Sequence, residues 1–523
     1  MKKNIKLRLI STSDIHGQIM PLNYADNSSV SLGLSYVSNI VKKFRIENSL
    51  VIDAGDILQG SPLMYYHQLN RDKYSNPIGD CLNHIGYDLF VPGNHDFNYG
   101  IDYLKDFSDR LHATTICANI TDTSGDLVFG RGYKTFMFEG MLKVGVIGLT
   151  TQYIPNWESP DNIKNLIFID AFDACKEYVK VLKEKEKVDC VVVVYHGGFE
   201  KELHEDIMYV EDTGENLGSK ILNEIEGIDV LITAHQHRLI ADSIKNTIII
   251  QSGAKGESVG FVDLEFEYNN SWEIRSKKSI LIETKNFQPD LDLTMLVKPI
   301  EDACQTFLDE VIGYVEGDNL KVLDPFMARL DKHPIVGFIN EVQLKASKAM
   351  ISATSLPNTV TGFSQNITVR NVLSTYIFPN TLTVVEINGI ALKKILEKNA
   401  EYFICEEGKI KANSKFSYPK MQHYNYDMFD GIEYTIDIDK PFGKRIVELK
   451  YQGKKVADDD IFSLALNSYR ASGGGDFYEI KSLKKLREVP FDISELIFDY
   501  IIKRRNIRVS NHKNIKLISK NCK

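Results

Sequence analysis

Five of the twelve histidines in the 523-residue chain stand just past runs of apolar, β-branched residues, in company with acids and an asparagine. LRLISTS leads into Asp14 and His16, and SLVIDAG into Asp56. LFVPG leads into Asn94, His95 and Asp96, CVVVVY into His196, and VLITA into His235 and His237. Imidazole nitrogen and carboxylate oxygen together suit Zn, Mn, Fe or Co. Read as extended chain, Asp-x-His and His-x-His each put both side chains on one side, because side-chain direction has period two. Two cations about 3.5–4 Å apart need a bridging carboxylate and can clamp the attacking and leaving oxygens of an in-line displacement. Asp56 is placed to be that bridge. Each fragment alone has a plainer reading. Asp56 fits a helix N-cap, Gly93-Asn94 a turn, and His196 a loop histidine. Seven candidate ligands after five strands, all in one half of the chain, favour the metal reading.

The elements that must position these residues follow one pattern over the first ~285 positions. The apolar runs 7–10, 49–53, 89–92, 144–149, 190–195, 230–233 and 247–251 each end in a polar or glycine-containing loop. Strands this apolar are buried on both faces, as in sheets covered by helices, so the first half reads as α/β layers. Ligands in such folds bind beyond the carboxyl ends of strands. Residues 289–312 read as a linking helix that Pro299 kinks or starts. The remainder, 313–523, reads as α+β. HPIVGFINEVQLKASKAM and ALKKILEKNAEYF are helical, and IEYTIDI and RIVELKYQG form a strand pair around KPFGK. The expected domains are therefore 1–288 and 313–523.

The series SDIHG, DAGD, GNHD, YHGG and AHQH resembles the motif set of calcineurin-like metallophosphoesterases. GNHDFNYGIDYL, RNVLSTYIFPNTL, DGIEYTIDI and LNSYRASGGGDF extend the resemblance to the 5'-nucleotidase superfamily over nearly the whole chain, nearest its 2',3'-cyclic-nucleotide 2'-phosphodiesterase/3'-nucleotidase branch. Two details favour that branch. Asn98 stands where 5'-nucleotidases usually have Asp. The Asn-Gly-Gly-x-Arg loop of 5'-nucleotidases is missing, and the region reads SATSLPNTVTGFSQN. The resemblance implies an N-terminal four-layer αββα metallophosphatase domain, a linker helix and a C-terminal nucleotide-binding domain. It implies two divalent metal ions, one held by Asp14, His16, Asp56 and His237, the other by Asp56, Asn94, His196 and His235. It gives His95 the role of bonding the phosphoryl oxygen or protonating the leaving sugar oxygen, with Asn98 as its partner. Asn98 can accept the His95 N–H but brings no charge. The nucleobase is expected between Phe378 and Tyr469, beside Arg470 and the loop Gly473, Gly474, Gly475. Opening of 2',3'-cyclic nucleotides to 3'-nucleotides, then hydrolysis to nucleosides, is the activity implied. A 5'-nucleotidase or UDP-sugar hydrolase is the nearest alternative. A nucleotide sensor without chemistry would have lost a ligand, and a thiosulfate-ester enzyme would not need the two rings.

Composition narrows the partners. With 62 basic and 71 acidic residues the chain carries a formal charge of −9, which does not suit a nucleic-acid polymer. A small phosphorylated substrate is compatible, since a bound cation supplies positive charge locally. After Asp499 come Lys503, Arg504, Arg505, Arg508, Lys513, Lys516, Lys520 and Lys523 without an acid, read as a helix end and a solvated closing strand. Seven cysteines at 81, 117, 175, 190, 304, 405 and 522, with no CxxC, fit a reducing compartment better than a disulfide framework. Lys6 and Arg8 interrupt the first apolar run, so no signal h-region is read, and no segment approaches the ~20 apolar residues of a membrane span. The expected compartment is the cytoplasm.

Overall fold

The computed structural model describes residues 3–205, 207–208, 213–378, 380–418, 420–509 and 513–522. The chain forms two compact units, Met1–Cys304 and Gln305–Lys523. The division falls inside the helix Leu291–Leu308, and Pro299 lies within that helix rather than at its start.

Two six-stranded sheets build the first unit. In one, Lys3–Thr12 pairs in parallel with Ser49–Asp53, which pairs in parallel with Leu89–Phe90. In the other, Leu142–Thr150, Cys190–His196, Val230–Thr233 and Thr247–Ser252 run parallel, with antiparallel strands at both edges. Leu7, Leu9, Leu50 and Ile52 of the first sheet meet Val144, Val146, Val192, Val194 and Ile232 of the second in one buried cluster. The alternate residues Val191, Val193 and Tyr195 point the other way, into a second cluster with Phe172, Cys175 and Val179 of the helix Ala171–Lys180. Every second residue thus serves a different core, which is why these strands are continuously apolar. Helix Leu34–Phe44 buries Leu34, Val37, Ile40 and Val41, and Phe44 meets Phe261 of the first sheet edge-on at 5.7 Å. The layers are αββα.

The second unit is α+β. A five-stranded sheet runs Asp427–Asp430, Ile351–Ser355, Ile461–Asn467, Thr381–Asn388, Lys485–Asp492. The helix read at HPIVGF begins at Pro334 and ends at Ser347, with the His333 side chain accepting the Ile335 N–H. Glu433–Asp437 pairs antiparallel with Ile446–Tyr451, as read around KPFGK. The basic tail forms the end of helix Ile493–Arg504 and two short strands.

Cysteine pairing differs from the sequence reading. Cys405 and Cys522 are joined as a disulfide, with Cα atoms 5.9 Å apart, while the other five cysteines are free and buried. The pair is 117 residues apart, so only tertiary structure brings it together. Among the described residues no helix is long and apolar enough to cross a membrane.

Candidate dinuclear metal site

The loops that carry the candidate ligands are not extended. Asp14, His16, Asp56, His235 and His237 all have positive φ, between 50° and 69°. Side chains bearing a Cβ avoid this region, at a cost of about 1–3 kcal/mol each. The period-two argument for Asp-x-His and His-x-His is therefore corrected: each pair faces one way because alternate residues take the same left-handed turn. Hydrogen bonds fix the loops. Asp14 N–H donates to Gly55 O and His16 N–H to Asp56 O, both at 2.8 Å. Asp96, fully buried, accepts from four backbone amides: Asp56 and Gly93 on one oxygen, Ile57 and Leu58 on the other, at 2.7–2.9 Å. It ties the Asp56 turn to the Asn94 turn. A Cβ on Gly93 would lie 2.4 Å from Asp56 Oδ1 and 2.5 Å from His196 Cε1, so only glycine admits this approach.

Two triplets of ligand atoms result, Asp14–His16–His237 and Asp56–His196–His235, each within 4.8 Å mutually. Asn94 belongs with the second. Its Oδ1 lies 3.1 Å from His196 Nε2 and 2.8 Å from His235 Nδ1. The outward nitrogens of the rings already have acceptors. His16 Nδ1 faces Gln59 O at 3.0 Å, His196 Nδ1 faces Ala54 O at 2.6 Å, and His235 Nε2 faces Glu215 Oε1 at 2.7 Å. Each outward nitrogen therefore carries the hydrogen, and neutral rings turn lone pairs inward. Those lone pairs meet other acceptors: His16 Nε2 lies 3.1 Å from His237 Nε2, and His196 Nε2 lies 3.2 Å from Asp56 Oδ2. Asp56 Oδ2 is buried and makes no hydrogen bond. Imidazole nitrogens and carboxylate oxygens converging in this way fit divalent cations.

The charges agree. Burial pushes His16 down to about 3, and His237 adds to the effect, leaving the neutral ring a ligand needs. Burial acts to raise Asp14, but His237 and His196 hold it at about 2. Burial acts to lower His196, yet Asp56 beside it lifts it to about 9. Positive charge is favoured at this point, which a divalent cation would supply in place of a proton. Glu215, unremarked in the sequence reading, orients His235 as a carboxylate behind a metal-binding imidazole does. Trp157 stacks on the same ring at 5.5 Å and 24°. Neither has a signal in strand-end spacing, because both act from behind the ligands.

His95 projects beside the ligands. Its backbone N–H donates to Asp56 Oδ1 at 2.6 Å, its ring centroid is 5.3 Å from that of His16, and its Nδ1 lies 2.8 Å from Asn98 Oδ1. In the second unit Phe378 and Tyr469 are both half-buried. A third ring, Tyr424, stands edge-on to each, 5.7 Å from Phe378 and 6.4 Å from Tyr469. Arg470, expected beside the base, is 1% exposed, donates to Asp427 Oδ2 at 2.6 Å and also bonds Gly474 O. The glycines serve packing here as well. A Cβ on Gly474 would lie 2.6 Å from the Tyr469 ring, and one on Gly475 2.4 Å from Arg470 Nη1. Gly473 has φ +95°, which a side chain would strain.

Comparison with known proteins matches the chain to two family models. Residues 7–239 match the calcineurin-like phosphoesterase and 311–482 the 5'-nucleotidase, C-terminal domain. A Haemophilus influenzae 2',3'-cyclic-nucleotide 2'-phosphodiesterase/3'-nucleotidase is 28% identical over 90% of this chain and 81% of its own. A 5'-nucleotidase of Vibrio vulnificus is 23% identical over 97% and 92%. A Staphylococcus aureus crystal structure, assigned provisionally as a 5'-nucleotidase, superposes with a TM-score of 0.89 at 34% identity, covering 99% of this chain and all of that one. This chain belongs to the 5'-nucleotidase family, a calcineurin-like metallophosphoesterase domain joined to a 5'-nucleotidase C-terminal domain.

Proposed function

We propose that the chain hydrolyses nucleotide phosphate esters, opening 2',3'-cyclic nucleotides to 3'-nucleotides and converting these to nucleosides. The convergence of Asn94 Oδ1, Asp56 Oδ2, His196 Nε2 and His235 Nδ1 on one point carries the reading. Asp14, His16, Asp56 and His237 would hold one divalent cation, and Asp56, Asn94, His196 and His235 the other. The pair, when bound, supplies hydroxide near neutral pH and stabilises charge on the phosphoryl oxygens. Zn, Mn, Co and Fe all suit the donor set. Asp56 holds the His95 backbone with one oxygen while the other faces the ligands. The His95 ring, tied at Nδ1, keeps Nε2 for the phosphoryl or leaving sugar oxygen. Phe378 and Tyr469 would stack the base, with Tyr424 closing one side. The Haemophilus relative and Asn98 support the cyclic-nucleotide branch, while the Vibrio relative supports the second reading, a 5'-nucleotidase. The test is a substrate panel on metal-stripped protein with Mn, Co or Zn restored. Faster turnover of 2',3'-cyclic AMP than of 5'-AMP is expected. The reverse order would favour the second reading, and no turnover with any metal would end both.

A further inference from the structure

Asn98 sits between two groups. Its Oδ1 is 2.8 Å from His95 Nδ1, and its Nδ2 donates to Glu158 Oε2 at 2.6 Å. The other Glu158 oxygen accepts from Asn162 Nδ2 at 2.8 Å and from the Ser159 N–H at 2.7 Å. Asn162 closes the network by donating to the Asn98 carbonyl at 3.0 Å, and its own carbonyl accepts the Ile101 N–H at 2.9 Å. Burial lifts Glu158 above the ordinary glutamate range, and these three donors together with His95 pull it back. Three N–H groups converge on its two oxygens, which is the surrounding of a carboxylate.

The consequence is directional. An amide can turn either end toward a neighbour, but a carboxylate only accepts. Glu158 therefore compels the NH2 end of Asn98 to face it and the carbonyl to face His95. That carbonyl accepts, so His95 Nδ1 must carry hydrogen, and Nε2 is the nitrogen left for chemistry. A carboxylate at position 98 would contact the imidazole directly and need no third residue. With Asn98, the negative charge stands one side chain further out.

We propose that Glu158 is a positioning residue for ester hydrolysis: it locks the Asn98 amide, which holds His95 as the Nδ1–H tautomer. The proposal rests on the phosphoesterase reading for its kinetic meaning but not for its geometry. It predicts that the Asn98 amide and the Glu158 carboxylate can be exchanged between the two positions but not duplicated. Asn98→Asp alone would set two carboxylates against each other where a 2.6 Å hydrogen bond now lies.

The test uses zinc-loaded, full-length protein and bis-p-nitrophenyl phosphate, with wild type, Glu158→Gln, Asn98→Asp and the double variant. Zinc content and melting temperature of each variant verify folding. Glu158→Gln should lower kcat by about tenfold with KM nearly constant, the scale of a lost charge-assisted hydrogen bond. Asn98→Asp should lose more. The double variant should recover to within about threefold of wild type. Its amide, now at position 158, can donate to the carboxylate now at position 98, and that carboxylate can accept from His95. Nitrogen-15 NMR of the His95 ring in the zinc protein should show Nδ1–H. If the double variant is no better than Asn98→Asp alone, or if the neutral ring carries its proton on Nε2, the relay is wrong. Wild type without turnover after zinc is replaced by manganese or cobalt would instead sink the phosphoesterase reading, and the NMR measurement on the zinc protein would still decide the relay.

Discussion

Glu215 offers a graded test of how the second cation site is built. Its Oε1 lies 2.7 Å from His235 Nε2, and its side chain is 30% exposed. Hydrogen bonds to charged groups contribute about 1.5–3 kcal/mol, and partial exposure places this one near the lower end. Removing it in Glu215→Ala frees the His235 ring to turn and to carry its proton on the inward nitrogen. A loss of about 1.5–2 kcal/mol corresponds to a factor of about 12–30 in affinity for one cation, within the range of about 10–100-fold usual for partners behind a ligand. Glu215→Gln keeps an acceptor without its charge, and neutral bonds are about half as strong. About 3–5-fold should be lost there. The assay is competition with a zinc-chelating dye on metal-stripped protein, fitted to two sites. One affinity should weaken in the order wild type, Gln, Ala, while the site of Asp14, His16 and His237 holds within about twofold. Equal weakening of both sites, or no change with Ala, would refute the orientation argument.

Asp56→Asn should abolish ester hydrolysis and reduce bound metal by at least one equivalent per chain, read by elemental analysis, since the amide has no charge to share between two cations. Tyr469→Ala should raise KM for nucleotides by ~5- to 150-fold, at ~1–3 kcal/mol per stacked base, and leave bis-p-nitrophenyl phosphate nearly unaffected. Tyr424→Ala should follow the same split with a smaller effect, and an equal loss on both substrates would make either ring structural. Asp290 accepts from Ser38 and Lys42 of the helix Leu34–Phe44. Burial acts to raise its pKa, but these partners hold it at about 2 against an ordinary 3.8. Its stabilisation is present above about pH 4 and is lost as pH falls toward about 2. Asp290→Asn should cost ~1–2 kcal/mol at about pH 7, after discounting for the partly exposed Lys42, and flatten acid denaturation between about pH 4 and 2. An unchanged urea midpoint at neutral pH would contradict this.

The sequence alone determined the local matters. The continuous β-branched run CVVVVY reads as a strand buried on two faces, and the fold makes it one; the histidines and acids just beyond such runs were legible because polar groups there need a purpose. The motif spacing carried the family. Position along the chain could not show how the ligand loops turn, and the left-handed backbone at five of the ligands replaced an extended reading that gave the same sidedness for another reason. Nor could it show groups that act from behind: Asp96 on four amides, Glu215 on His235 and Glu158 on Asn98. Glu215 stands 20 residues and Glu158 60 residues from its partner. The resemblance places Arg470 beside the base, but no local pattern shows that folding sets Asp427 against it. Cys405 and Cys522 meet for the same reason. Local pattern follows from which side of a strand or turn must be dry. Hydrogen bonds and a disulfide between distant residues depend on distances that only the packed chain sets.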